Sequence, residues 1–463
     1  MTIPMKPQIV LVAMSGGVDS SVAALLMKQK GYNVVGAFMK NWSSTKHSVS
    51  GECNWKEERR YASQIASLLG IKLITLDFEK QYRKTVVNQM IKLYKKGITP
   101  NPDVDCNNKI KFPLLWKAAQ KLKANFIVTG HYAQIKVIDK KTGKEIKQDK
   151  INRTIKLKKS LSINKLKKRE VLSEGGLRAT NPEQSEDNFT FQLLRAKDEN
   201  KDQSYFLYRL TEKDLSHTLF PIGQLTKSEV REIAKKHKFP NAEKKSTTGI
   251  CFIGKVNLKD FLKQKIKPKN GKILNPDGET IGTHDGVYYY TIGQRLGSRF
   301  GIEIDKEKHD ENKQQMSKWY VAKKNTKQNT LTVAPEGHKI LLRKEFEIKD
   351  IHIIDNDRNS KDKNVEQNIL AISHKGGRKF SEENLGGHQL ANFKENFPKQ
   401  INVRIRQVGE LLPAKIIKNK ITLKKPITGI SEGQACVIYK KNSKKVLGGG
   451  VISFKHTNNY KLK

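Results

Sequence analysis

Residues 9–24 read IVLVAMSGGVDSSVAA, and the fold is decided there. Residues 9–14 form an apolar, β-branched-rich run of the length expected for a buried parallel strand. Ser15-Gly16-Gly17-Val18-Asp19-Ser20 then turns the chain, and residues 20–30 have the composition of a helix. Adjacent glycines permit positive φ and close approach of backbone N–H groups to a ligand. Asp19, Ser20 and Ser21 suit a helix N-terminus, which offers unpaired donors carrying partial positive charge. Strand, glycine turn and helix start together predict an anion site, most naturally one for phosphates.

The loop is not a Walker A motif, which needs a lysine before its Ser/Thr to reach the outer phosphates. None occurs between Ser15 and Ser21. A glycine pair alone favours an ordinary α/β turn. Ser-Gly-Gly-Val-Asp-Ser-Ser directly after an apolar strand is far more specific, and it resembles the PP-loop of the ATP pyrophosphatases. That resemblance implies cleavage of ATP between its α and β phosphates and adenylation of a carbonyl oxygen.

At 463 residues the chain has room for two or three domains. No segment approaches the ~20 apolar residues of a membrane helix. The residues before the first strand have neither signal-peptide nor transit character, so a cytoplasmic protein is expected. Lys and Arg number 89 against 46 Asp and Glu, a net charge of +43. Such a charge attracts polyanions, RNA first among them. Abundant Lys, Asn and Ile also fit compositional drift in an AT-rich genome, so the charge has two explanations. Cys53, Cys106, Cys251 and Cys436 are too few and scattered for a disulfide framework, and without a C-x-x-C pair no metal site is expected.

Short strands and helices alternate through residue 133. Strands are expected over 33–39, 72–76 and 125–129, and helices over 56–69, 79–96 and 110–122. The two prolines of 99–103 predict an extended or turning segment. The alternation implies a parallel sheet covered on both faces, with loops 14–20, 39–42 and 130–132 at the carboxyl ends of its strands. Residues 136–200 lack sustained apolar periodicity and read as a polar insertion, either an RNA-grasping arm or a tolerated surface segment. Helical signals return over 227–238. From 271 onward, alternation and Pro-Asp-Gly predict short antiparallel strands, continued over 319–334, 402–406, 414–421 and 435–439, for a terminal barrel or sandwich. A second polar insertion covers 355–400.

Two cysteines stand in distinctive surroundings. Cys106 precedes the helix expected from 110, whose partial charge favours a thiolate, while Asp103 and Asp105 push its pKa the other way. Cys251 lies in a Thr-Thr-Gly-Ile-Cys turn suited to a loop that presents a thiol. Taken singly, each reads first as a passive cysteine. His131 reads as either a functional group or a satisfied histidine at a strand end. Cys53 and Cys436 read as packing residues.

Further stretches narrow the choice: TPNPD with Cys106-Asn107 and IKF over 99–112, GHYA over 130–133, KDQSYFL over 201–207, TTGICFIG over 247–254, and a terminal GGGVI over 448–452. With the PP-loop they resemble, in order, the bacterial-type tRNA-uridine 2-sulfurtransferases, from residue 9 to about 452 apart from the two insertions. The resemblance implies an ATP site, with Mg2+, at Ala13, Met14, Ser15, Gly16, Gly17, Val18, Asp19 and Ser20, bordered by Met39 and Gly130. It implies that Asn101, Pro102 and Asp103 meet the target base, with Asp103 as acid/base. Cys251 would carry a persulfide delivered by a sulfur-donor protein, and Cys106 would be its disulfide partner. His131, Lys201, Asp202, Gln203, Arg404, Ile405 and Gln434 would contact tRNA.

The expected architecture is thus α/β: a parallel-sheet PP-loop domain over 1–215, a small central domain over 216–290 bearing Cys251, and a C-terminal β-barrel over 291–463. The expected activity is ATP-dependent 2-thiolation of a tRNA wobble uridine by a monomer. A sulfurtransferase for another RNA position or a small-molecule adenylating ligase would share the loop. The ligase would have no use for two reactive cysteines, and a non-enzymatic RNA binder would explain the charge but not the loop.

Overall fold

The computed structural model describes residues 7–43, 54–146, 188–244, 258–296, 303–304, 318–354, 398, 400–407 and 409–454. The chain divides into two compact units, one of residues 1–95, 100–267 and 444–446, the other of 96–99, 268–443 and 447–463.

The first unit is built on a parallel sheet of β1 (Ile9–Ala13), β2 (Asn33–Lys40), β3 (Lys72–Asp77), β4 (Phe126–Val128) and β8 (Thr218–Leu219), in the order β3-β2-β1-β4-β8. Val12 pairs with Gly36 on one side and Val128 on the other. Helices α1 (Val18–Gln29) and α2 (Asn54–Leu68) contribute Val22, Ala23, Met27, Ala62 and Ile65 to the core over this sheet. The chain runs outward from β1 to β3 and then returns to β4, so the order reverses between β1 and β4. In open α/β sheets the crevice at such a reversal, beyond the strand carboxyl ends, is where ligands bind. Both the PP-loop and the Gly130 turn emerge there.

The helix expected over 79–96 is present in three pieces: α3 (Glu79–Tyr82), a π-turn over Arg83–Val87, and α4 (Asn88–Lys95). The helix expected from 110 starts earlier. Asn101 is its N-cap, accepting a 3.3 Å hydrogen bond from the Val104 N–H, and Pro102 occupies the first position, where its missing N–H costs nothing. The run continues through α5 (Pro102–Cys106), a π-turn over Asn107–Lys111 and α6 (Phe112–Lys121). The π-turn stands immediately before Pro113, where a regular ladder would meet the proline ring. Residues 99–103 therefore do not all extend: Pro102 starts a helix instead of breaking one.

Part of the expected 136–200 insertion is ordered β structure. β5 (Ala133–Asp139), β6 (Glu145–Ile146) and β7 (Phe189–Arg195) form an antiparallel sheet in the order β6-β5-β7, burying Val137, Phe189, Phe191 and Leu193. The partners β5 and β7 stand some fifty residues apart, with a long Lys- and Asn-rich stretch between them, so the sequence does not show them as a pair. Residues 147–187 of that insertion lie outside the described residues, as does 355–397 of the second.

In the second unit, β9 (Gly271–Leu274), β10 (Thr280–His284), β11 (Glu303–Ile304), β12 (Trp319–Asn325) and β13 (Thr330–Pro335) form a sheet in the order β11-β10-β9-β13-β12. Between β10 and β12, Val287–Tyr289 is a 3-10 turn, not the strand its alternation predicts. Gly286 enters the turn at φ +143, and Val287 and Tyr289 are both buried. A closed six-stranded barrel follows: β14 (Leu342–Ile353), β15 (Gln400–Arg404), β16 (Leu412–Ile417), β17 (Lys420–Thr428), β18 (Ala435–Lys440) and β19 (Val446–Ser453), in the order β14-β17-β16-β15-β18-β19. Ile348, Val403, Ile421, Leu423, Cys436, Ile438 and Ile452 fill it. Closure leaves no strand edge open, so the barrel replaces the sandwich alternative. Among the described residues no helix is long and apolar enough to cross a membrane.

Candidate active site

The turn after β1 is shaped by its serines and glycines. Gly16 has φ +77, and a Cβ there would stand 2.2 Å from the Glu58 carbonyl oxygen, so only glycine fits. The Ser20 hydroxyl accepts from the Ser15 N–H at 3.2 Å and donates to the Gly17 carbonyl at 3.0 Å. Ser21 also donates to the Gly17 carbonyl, at 3.0 Å. The N-cap of α1 is Gly17, and no side chain caps the helix. The first-turn N–H groups have no intrahelical acceptors, so they and the helix dipole are available to an anion. These residues fit a nucleotide phosphate.

The second wall is the turn after β4. A Cβ on Gly130 would lie 2.7 Å from the Ser20 nitrogen, so this glycine brings the turn against the start of α1. Tyr132 donates its hydroxyl to Asp19 at 2.8 Å, and burial, reinforced by Asp19, raises its pKa far above the usual phenol value. Its N–H donates to the Gln203 side chain at 2.9 Å, and its carbonyl accepts from the Gln203 N–H at 2.8 Å. The GHYA and KDQ stretches, seventy residues apart in sequence, thereby form one structure around the PP-loop.

His131 is buried, stacked on Phe112 at 5.9 Å and edge-on to Phe220 at 6.0 Å. Its Nδ1 lies 2.7 Å from the Thr129 hydroxyl and its Nε2 3.3 Å from the Lys111 ammonium. Burial, with the Lys111 charge second, holds its pKa well below the ordinary histidine value. A lysine donating to Nε2 leaves the proton on Nδ1, directed at Thr129.

Cys106 is fully buried, on the second turn of the helical run and not ahead of it. The helix start that bears on its thiol is therefore Pro102. Of its acidic neighbours, Asp105 forms an ion pair with Lys109 at 2.8 Å. Asn107 donates to the Phe206 carbonyl at 3.2 Å, fixing the helix to the end of the KDQSYF stretch. The first unit thus joins the PP-loop, the Gly130 turn and Gln203 through Ser20, Asp19 and Tyr132. The helical run bearing Asn101, Pro102, Asp103 and Cys106 meets the same turn through Lys111 and His131, while Met39 lies near the end of β2, beside β1. Lys201 is exposed. Asp202 is buried, accepting from the Ala196 and Ser204 N–H groups and the Ser204 hydroxyl at 3.0, 3.2 and 2.8 Å, so it holds the turn's shape.

In the second unit, Arg404 is 4% exposed, with its guanidinium over the Tyr439 ring at 5.4 Å, and Ile405 lies in the barrel core. Gln434 donates to the Thr99 carbonyl at 2.9 Å. Cys251, its Thr247–Gly254 stretch and Cys53 lie outside the described residues. Cys436 is buried in the barrel, where burial raises its thiol pKa, as a packing residue requires.

Three residues to which the sequence reading gave no role bear on this region, Asn41 from within the loop 39–42 and two others from outside any motif. Asn41, just beyond β2, is 1% exposed with both amide atoms unpartnered. Asn241 donates to the Gly16 carbonyl and the Ser21 hydroxyl, each at 3.0 Å. Lys227 forms an ion pair with Asp19 at 2.6 Å. The loop position of Asn41 beyond a strand end was a usable signal, whereas nothing in sequence ties residues 227 and 241 to 16–21.

Comparison with known proteins identifies the family. Residues 8–160 and 148–255 match the family described as the tRNA methyl transferase HUP domain, 259–335 the tRNA methyl transferase PRC-barrel domain, and 388–452 the aminomethyltransferase beta-barrel domain. The chain is 36% identical to the tRNA-specific 2-thiouridylase MnmA 1 of Geobacillus kaustophilus, over 97% of this chain and 96% of that one. It is 36% identical to the tRNA-specific 2-thiouridylase MnmA of Nitrosomonas europaea over 96% and 97% of the two chains. With the corresponding protein of Streptococcus pyogenes serotype M4 it shares 34% identity over 97% and 96%. Matched along nearly its whole length, the chain belongs to the tRNA-specific 2-thiouridylase family.

Proposed function

We propose that the protein is an ATP-dependent tRNA-uridine 2-sulfurtransferase that thiolates C2 of the wobble uridine. The observation that carries this reading is the convergence of the PP-loop, the Gly130 turn and the Cys106 helix at the order reversal of one parallel sheet. Ala13 to Ser20, with Met39 and Gly130, bind ATP together with its Mg2+. The unpartnered Asn41 amide, offering both a donor and an acceptor, suits the nucleotide's polar edge. Asn101, Pro102 and Asp103 receive the uracil, which must leave the anticodon stack to reach them. His131, Lys201, Gln203, Arg404 and Gln434 serve the tRNA. Asp202, through the hydrogen bonds that fix its turn, and Ile405, in the barrel core, act in this scheme by holding neighbouring backbone in place.

The uracil C2 oxygen is a poor leaving group. Its attack on the α-phosphorus of ATP expels pyrophosphate and makes AMP the departing group, with charge stabilised at the start of α1. The terminal sulfur of a Cys251 persulfide, supplied by a donor protein, then attacks C2 and AMP leaves. The Cys106 thiolate attacks Sγ of Cys251, breaking its bond to the transferred sulfur and forming a Cys106–Cys251 disulfide. The sulfur stays on C2 as the thiocarbonyl, and an external dithiol supplies the two electrons that reopen the disulfide. The test combines unmodified tRNA, ATP, magnesium and a persulfide source with mass spectrometry of the nucleosides. Thiouridine at the wobble position that disappears in Cys106→Ser and in Cys251→Ser is expected. Thiolation at another position, or AMP formed only when a small acid is supplied, overturns the reading.

A further inference from the structure

The PP-loop has no lysine, yet a lysine reaches it from elsewhere in the fold. Lys227 is the first residue of the helix Lys227–Lys236, which packs against α1. Its N–H is capped by the Asp198 carboxylate at 2.9 Å, and the preceding Thr226 forms a complete capping box with Glu229. The ammonium passes over the Tyr132 ring at 5.8 Å and ends 2.6 Å from Asp19 Oδ1, leaving the side chain 12% exposed. A cation at a helix N-terminus opposes the helix dipole, so the helix itself gains nothing from a lysine here. The loop gains a good deal. Asp19 puts a carboxylate in the first turn of α1, against any anion bound there, and the Lys227 ammonium and Tyr132 hydroxyl converge on that one oxygen.

We propose that Lys227 is the phosphate-binding lysine of this site, held at the PP-loop by Asp19 and Tyr132 to neutralise the β- and γ-phosphates and the pyrophosphate they become. The proposal rests on the reading that this site takes ATP. It assigns to a distant helix the charge that a Walker A loop carries within itself, and it gives Asp19 the task of orienting an ammonium instead of touching the phosphates.

Calorimetric titration of the full chain with ATP and, separately, with AMP tests this. Lys227→Gln is expected to weaken ATP about 10- to 100-fold, the usual worth of a charged hydrogen bond, while leaving AMP unchanged. Lys227→Arg should recover most of that loss. Lys197→Gln, which removes an exposed lysine paired with Glu229 on the same helix, should change neither. Equal losses for ATP and AMP would make Lys227 a structural brace, and unchanged ATP binding would remove it from the site. Should Lys227→Gln fail to fold, acylation of wild-type lysines followed by mass spectrometry gives the answer. Saturating ATP should protect Lys227 and not Lys197, and equal labelling overturns the proposal. A wild-type chain that binds neither nucleotide defeats the ATP reading itself, a result distinct from any of these.

Discussion

His217 is stacked 3.8 Å from Trp116, nearly parallel to it, with its Nε2 buried and unpartnered. Burial, opposed by Asp214 and aided by Lys213, lowers its pKa from 6.5 to about 4. The folded ring is neutral where the unfolded one takes up a proton, so below about pH 6.5 the unfolded chain binds more protons. Stability is therefore fully present above that pH and is lost as pH falls toward 4, by about 3 kcal/mol for a shift of this size. His131 contributes in the same direction. His217→Phe keeps a ring on Trp116 and removes both the titration and the orphaned nitrogen. Urea unfolding from pH 7 to 4.5 should show a flatter decline in the variant, and an unchanged slope would place the linkage elsewhere. At this scale the sequence was most informative where one short segment makes the whole feature. Gly16, Gly17 and Ser20 were readable because a single turn contains their partners. Lys227 and Asn241 were not, because their pairing with the loop exists only once the chain has folded.

Helices and turns convert these residues into a site, and the close approach at Gly130 carries the most consequence. With the Ser20 nitrogen 2.7 Å from where a Cβ would sit, Gly130→Ala must push the β4 turn away from α1. The backbone there yields less readily than a flexible side chain. The variant should bind ATP at least about tenfold more weakly, as expected when a phosphate-binding N–H loses its alignment. Its thermal midpoint should fall by only a few degrees, since the turn is at the end of the sheet and not within its core. Wild-type ATP affinity in a folded Gly130→Ala would separate this turn from the nucleotide. Sequence reading located the turn but misjudged the neighbouring helix, which begins at Pro102 and not near Ile110. Proline was weighed as a breaker, whereas the Asn101 cap makes it the first residue of the helix. That shift moves Cys106 from a loop onto the second turn, into full burial. The strands of β5 and β7 were missed because the polar, lysine-rich stretch between them outweighed two short apolar segments, and their pairing exists only in the folded chain.

For the whole molecule the question is what the net charge of +43 does. Composition alone offered two answers, RNA binding or genomic drift, and sequence cannot divide the lysines between them. Salt dependence can. Each phosphate neutralised releases condensed counterions, so the logarithm of the binding constant falls with the logarithm of salt by about 0.7 to 0.9 per contact. A surface whose excess lysines serve the substrate should bind tRNA with a slope of about −5 or steeper. Because phosphates carry no sequence information, a tRNA lacking the wobble uridine should show nearly the same slope and differ mainly in turnover. Lysines that reflect drift are spread over surfaces the tRNA never touches, and the slope would then be close to −2, the mark of a few specific contacts. Filter binding of both tRNAs between 50 and 300 mM salt, a range of roughly sixfold, separates these slopes by about four decades of affinity against about one and a half. A shallow slope would leave recognition to the uracil pocket and a few neighbouring side chains. A steep one would make the basic surface the means by which tRNA is gathered before any base is read.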